Sequence, residues 1–344
     1  MAGKKSSRYS GIGGQAVLEG VMMKNKERYA IAVRKPDGEI DVELENYQDL
    51  GHGNKLKRLP LIRGVFNFLD SMILGTKALN YSASFYEEED GKDSKQTSGG
   101  GNGEKLMNLL VTIFSVALAV GIFIVLPYVI SSFFEEYIRN ASLLAILEGC
   151  IRILIFLLYA WGISAMQDIR RLYQYHGAEH KCINCIEKGR PLTVHNVMRS
   201  SRLHRRCGTS FIFFVLLVSI ILFFFIRVDN VVEKVALRIL LMPVVAGISY
   251  ELIRLAGRSD NIIVRILSAP GMCIQRLTTR EPDEQMAEVA IAAVEAVFDW
   301  KAYLREAFGY EVDESWMDEE RPEQENVVLE DVSADVSAGA GRPS

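Results

Sequence analysis

From Leu106 to Phe134 the chain has no charged side chain at all. An uncharged run of that length is foreign to the surface helix of a soluble domain, and it exceeds the roughly 20 residues needed to cross a bilayer. Cysteine is scarce and odd in number, five in all, behind a polar, basic N-terminus with no apolar stretch in it. Those two facts argue against a disulfide framework and against a signal peptide. Around Gly11, Gly13 and Gly14 neither the dinucleotide nor the P-loop spacing occurs, so these glycines read as tight-turn residues. No internal repeat is visible, which weighs against a transporter. No basic segment is interleaved with aromatics, which weighs against nucleic-acid binding.

What is present is segregated. Four apolar runs, at about 106–130, 142–166, 209–226 and 235–256, have the length of membrane spans, the last of them weakened by Arg238, Glu251 and Arg254. The expected fold class is therefore mainly α, a polytopic membrane protein with four transmembrane helices. Residues 167–208 between the second and third spans carry nine Lys/Arg, while 135–141 and 227–234 carry one and two. The positive-inside rule then places the long loop and both termini in the cytoplasm, in a cell membrane.

Outside the membrane domain (105–260), residues 1–58 suggest a small β-rich unit. Its best evidence is the turn Pro36-Asp37-Gly38 between Tyr29–Val33 and Glu39–Leu44. Residues 59–86 have helical apolar spacing broken by Arg63, Asp70 and Lys77, which favours an interfacial helix or one packed on the bundle. Residues 87–104 are Gly, Ser and charge, the composition of a disordered linker. Within 261–308, Ala269-Pro270-Gly271 should break one amphipathic helix, and Glu281-Pro282-Asp283-Glu284 should start another. The acidic tail 309–344 is expected to be disordered.

The chemistry is concentrated in one place. His176, His180, Cys182, Cys185, His195, His204 and Cys207 lie within 32 residues of the basic loop. The second span should continue as a helix through His176-Gly177-Ala178-Glu179-His180, the pattern H-x-x-E-H. On that helix His176 and His180 are about 40° apart, and Glu179 about 60° from His176, so all three share one face. Two imidazoles make a zinc-ligating pair, and a carboxylate beside them can act as a general base. Cys185 lies about 180° from His176 and can join only if the helix breaks near Lys181. Thr193 looks like the N-cap of a second helix, with His204 and Cys207 on its last turn.

Two closures compete with the plain reading of packed or solvated residues without metal. One is catalytic: His176 and His180 with His204 or Cys207 as ligands, and Glu179 as base. The other is structural, drawn from His180, Cys185, His204 and Cys207. His195 has no partner at useful spacing. Glu148 and Arg152, an i,i+4 pair inside the second span, are best read as a structural ion pair. Glu251 with Arg254 is similar, and Cys150 and Cys273 read as packing residues.

Several long motifs, GGQAVLEGVMM (13–23), AVRKPDGEI (32–40), LIRGVFNFLDSMILGTKALNYSA (61–83), YHGAEHKCINC (175–185), LHRRCGTSF (203–211) and TREPDEQMAEVAIAA (279–293), occur in the order of one family. The chain resembles the YqhQ-like family, bacterial membrane proteins with a domain of unknown function, labelled predicted metal-dependent enzymes. The resemblance runs from about residue 11 to 300. It implies family roles for His176, Glu179, His180, Cys185, His204 and Cys207. Cys182 falls where the family has no Cys, and Arg205 where Pro is common. The expectation is a zinc-dependent membrane enzyme, hydrolytic, at the cytoplasmic face. The alternative is a non-enzymatic scaffold or partner- or lipid-binding protein with a structural zinc. Expected partners are the bilayer and anionic lipid headgroups rather than nucleic acid.

Overall fold

A computed structural model describes residues 9–50, 55–87, 102–226, 228, 230–258 and 261–309. The linker (88–101) and tail (310–344) expectations fall outside the described residues; the ends assigned to that linker, Glu87 and 102–104, are helical.

The N-terminal unit is a four-stranded antiparallel meander, β1 (Ile12–Val17), β2 (Gly20–Asn25), β3 (Arg28–Arg34) and β4 (Ile40–Asn46), in spatial order 1-2-3-4. The expected hairpin is β3–β4, with Gly38 at φ 88. The β1–β2 hairpin was not expected. Gly13 and Gly14 lie in β1 rather than in a turn, paired with Lys24 and Met23.

Both sheet faces are covered. One packs Val17, Met22, Tyr29, Ile31 and Val33 against Leu74 and Ala78 of α1 (Ile62–Glu87). Helix α1 thus joins the sheet to the rest of the chain, while Phe68, Leu69, Met72 and Ile73 remain exposed.

The apolar stretch after the linker forms α2 (Asn102–Val120), a π turn at Gly121–Val125, and α3 (Leu126–Ser132). The π turn comes just before Pro127, whose ring cannot accept α-helical register with residue 123. Next come α4 (Ala141–Ile163), α5 (Gln167–Glu187) and α6 (Val194–Met198). The second span does not continue as one helix: residues 164–166 turn, and Met166 is extended at ψ 137. Then α7 (Gly208–Phe225) packs on α4, on α8 (Val231–Arg258) and on α9 (Ile262–Thr278). Four helical segments are long and apolar enough to cross a membrane: Leu109–Ser132, Ala141–Ile163, Gly208–Phe225 and Val232–Gly257.

Helix α9 runs unbroken through Pro270. Gly271 lets it approach Ser210 of α7, and packing of that kind outweighs the one backbone bond that proline removes. The chain ends its described part with α10 (Glu284–Val297) and α11 (Trp300–Phe308). Asp283 caps α10 by accepting from the Met286 N–H, as the Glu-Pro-Asp-Glu signal implied.

Segments far apart in sequence share one core. Ile12, Val21, Met23, Ala30 and Ala32 of the second sheet face meet Tyr175, Ala178, Cys182 and Ile186 of α5 and Val289, Ala290, Ala293 and Val294 of α10. This places α5, with its histidines, between the sheet and the apolar bundle.

Candidate metal centre

Helix α5 stays α-helical through Glu187, so its two faces have separate fates. Cys182 and Cys185 point into the core and are fully buried. Burial pushes both thiols up, Cys185 to about 12, and the Cys185 Sγ lies 3.4 Å from the Pro191 carbonyl oxygen. The structure keeps Cys185 away from the histidines, as the continuous-helix geometry required. The opposite face carries His176, Glu179 and His180, with the two imidazole centroids 4.4 Å apart.

Cys207 completes the group. One ligand atom from each of His176, His180 and Cys207 lies within 4.8 Å of the others, and the His176 Nε2 is 3.1 Å from the Cys207 Sγ. These three could hold a metal ion. Cys207 is the N-cap of α7, its Sγ accepting from the Thr209 N–H. It does not share a helical turn with His204, because α6 ends at Met198 and 199–207 is loop.

Hydrogen bonds fix the tautomers. His176 Nδ1 lies 3.0 Å from the Thr278 carbonyl oxygen and His180 Nδ1 2.6 Å from that of Arg202. A carbonyl oxygen only accepts, so each Nδ1 carries a proton, and in the neutral ring the lone pair is on Nε2. Metal-ligating histidines are held in this way, by a backbone carbonyl on the far nitrogen.

Glu179 is buried, with one oxygen 4.0 Å from the His176 Nε2. Burial pushes its carboxyl up, and His176 and the Gly14 backbone N–H offset part of that. A Cβ on Gly14 would sit 3.0 Å from the Glu179 Cγ, so the glycine in β1 is what lets the sheet close over this carboxylate. Gly177 does the same on the other flank, where the Arg280 backbone passes over α5.

His204 stands beside the group rather than in it, its ring centroid 5.6 Å from that of His180. Burial pushes it down to about 4, with the Arg206 charge adding to that, against the raising effect of the hydrogen bond that the ring donates to Glu187. Burial alone would raise Glu187, but the His204 hydrogen bond and the Arg206 charge hold it down at about 2. A carboxyl lowered on folding contributes stability above its ordinary value of 4.5 and loses it as pH falls toward 2. Glu187→Gln should therefore flatten the fall in melting temperature over that window. An unchanged acid limb would show that Glu187 contributes nothing there. His195 sits on α6 with Arg199 3.4 Å from its Nε2.

Three supports were not expected from the sequence. Gln275 of α9 accepts from the His204 backbone N–H and donates to its carbonyl, at 2.9 and 2.6 Å. Lys181, nearly sealed, donates to the carbonyls of Met198 and Ser200 at 2.8 and 2.9 Å, shaping the loop that carries Arg202. Thr278 supplies the carbonyl for His176. Each is a single polar residue about 20 to 100 positions from its target, with no spacing to announce it.

The candidate intramembrane pair is larger than expected. Glu148 accepts from Arg152 at 2.8 Å and from Arg238 of α8 at 2.7 Å, so one carboxylate serves two guanidinium groups. Glu251 pairs with Arg63 of α1 in a two-pronged contact, while Arg254 is 3.9 Å away.

No solved structure matches this chain. The family model described as "Protein of unknown function (DUF1385)" matches residues 59–300. A curated relative, "Uncharacterized protein YqhQ" of Bacillus subtilis (strain 168), is 35% identical over 285 residues, 81% of this chain and 89% of the relative. Both matches span α5, the 199–207 loop and α7, and the chain belongs to the DUF1385 family of YqhQ-like proteins.

Proposed function

We propose that the protein is a zinc-dependent membrane enzyme, hydrolytic in chemistry, with His176, His180 and Cys207 as ligands at the cytoplasmic membrane face. The observation that carries this reading is the donor count: three ligand atoms within 4.8 Å, with Glu179 beside them. Three protein ligands plus a nearby carboxylate is the arrangement of catalytic zinc sites, whereas structural sites close with four. Zinc held there would supply Lewis acidity and activation of water at neutral pH. Glu179 would take and hold the proton at its carboxylate, and its burial favours the protonated form. The histidine Nδ1 bonds to Thr278 and Arg202 hold both rings in place.

Anionic lipid headgroups suit the surroundings. A cavity of about 420 Å³ between α1 and α8 is lined by Lys57, Arg63, Arg206 and Arg254, with Asn67 and Tyr250. Arg206 directly precedes Cys207. All four cations have a carboxylate within 4.0 Å: Lys57 has Asp70, Arg63 and Arg254 share Glu251, and Arg206 has Glu187. The basic loop and the positive-inside rule favour cytoplasmic termini. A second reading, a structural zinc that pins α5 to α7, is favoured by the near-complete burial of His180 and Cys207, 1% and 5% exposed.

Elemental mass spectrometry of the detergent-purified protein should find about one zinc per chain, lost in His180→Ala. Absence of stoichiometric metal in both would overturn either zinc reading. Glu179→Gln separates the two. The enzyme reading expects the variant to keep zinc and fold but to make none of the products that wild type makes from a bacterial membrane extract. Identical product profiles would leave the structural reading.

A further inference from the structure

The Glu148 cluster is independent of the metal centre. It lies about 10–17 Å along α4 from its start and about 10 Å along α8 from its start, well inside both helices. Arg152, Arg238 and Glu148 are buried, their side chains 7, 8 and 8% exposed. Arginine does not lose its proton in proteins, so two fixed positive charges face one carboxylate. The Ser219 hydroxyl of α7, 3.2 Å from an Arg152 Nη1, adds no charge. Lys234, one turn before Arg238, adds a further cation over the Tyr128 ring. Glu148 is the acidic group in contact with the two arginines among the described residues.

Two N–H groups are left over. Arg152 Nε and Arg238 Nη1 are buried with no hydrogen-bond partner among the described residues. They belong to side chains lining a small cavity of about 10 Å³ between α4, α7 and α8, bounded by Ala145, Gly149, Ile220 and Phe223. The Phe223 ring, 5.5 and 5.0 Å from the two guanidinium carbons, offsets part of the charge. It supplies no acceptor in the plane of either guanidinium. An excess cation in apolar surroundings is costly, and each unpaired donor adds to the cost.

We infer that this cavity binds a small monovalent anion, a halide such as chloride. The excess positive charge sets the sign of the ligand. The paired free donors supply its hydrogen bonds, and a volume near that of one solvent sphere limits it to a single atom.

The test uses the full chain in detergent. Radioactive chloride in equilibrium dialysis should be retained at one per chain, displaced by bromide and not by sulfate or gluconate. Replacing gluconate by chloride at constant ionic strength should raise the melting temperature by about 2 °C per tenfold of chloride above its Kd. Arg238→Gln should abolish retention and the chloride dependence together. Glu148→Gln, with one more unit of net positive charge, should bind chloride more tightly, so that the rise in melting temperature begins at a lower chloride concentration. No retained chloride and equal melting in both salts would overturn the proposal and leave a buried water. An equal chloride effect in wild type and Arg238→Gln would mark a surface salt effect and also overturn it. Displacement by sulfate would overturn the halide assignment in favour of an oxyanion.

Discussion

Gly177→Ala should be among the most damaging single-methyl substitutions in the protein. By helix propensity alone the change would help, since alanine outranks glycine by about 1 kcal/mol. The added Cβ, however, would overlap the Arg280 carbonyl oxygen, a backbone atom that cannot swing away. Moving it means moving the strand-like segment after α9. The Arg280 N–H bond to the Tyr173 carbonyl at 2.8 Å, the Gln174 bond to the Glu281 carbonyl at 3.2 Å and the Thr278 carbonyl on His176 at 3.0 Å would all shift with it. Overpacking typically costs about 1–3 kcal/mol, and the lost hydrogen bonds add about 1 kcal/mol each. A net loss of about 2 kcal/mol or more is expected, and the zinc retention proposed above should weaken in the same variant. Gly162→Ala on α4, where a Cβ meets nothing within 4 Å, is the control and should be neutral or slightly stabilising. Equal melting temperatures for the two variants would show that α5 does not press on the Arg280 backbone.

Removing the carboxylate at position 148 should cost even more. Glu148→Ala leaves Arg152 and Arg238 facing each other without their shared acceptor. Breaking a buried pair by deleting one partner typically costs about 3–5 kcal/mol, because the remaining charge stays buried. Here two charges remain. Unfolding in mixed micelles should show at least that loss. The double change Glu148→Leu with Arg152→Leu, which leaves Arg238 alone, should recover part of it. If Glu148→Ala unfolds like wild type, water reaches the cluster freely and the charges are not confined.

The legible parts of this protein were those with a period or a fixed spacing. Four apolar runs gave the helical bundle because composition over about 20 residues is a strong signal. The H-x-x-E-H spacing placed His176, Glu179 and His180 together because a helix needs only its own pitch to do so. The same angular argument put Cys185 on the far face, where the structure has it, whereas family likeness had grouped it with the ligands. Proximity of Cys207 to the histidines depended on a loop. Residues 199–207 have no period, and their path is set by Lys181 and Gln275, which no local pattern connects to them. Half of the sheet was hidden for another reason. Gly13 and Gly14 are poor strand formers, and the Leu18-Glu19 turn lacks the Asn-Gly or Asp-Gly signature, with φ 48 at Glu19. Proline misled at position 270, where tertiary packing in the bundle overrides local preference.

The sheet's second layer has a consequence for biosynthesis. Arg34 of β3 bonds to Glu288 and Asn25 of β2 to the Val297 carbonyl, 254 and 272 residues later in the chain. Translation at about 5–20 residues per second puts some tens of seconds between synthesis of the sheet and emergence of α10 from the ribosome. Through that interval the four apolar helices are made while the sheet waits half-covered, with Val21, Met23, Ala30 and Ala32 lacking α10. A nascent chain arrested before residue 284 should therefore recruit holding chaperones and resist protease poorly over residues 12–46, and one arrested after the α10 sequence has cleared the exit tunnel should do neither.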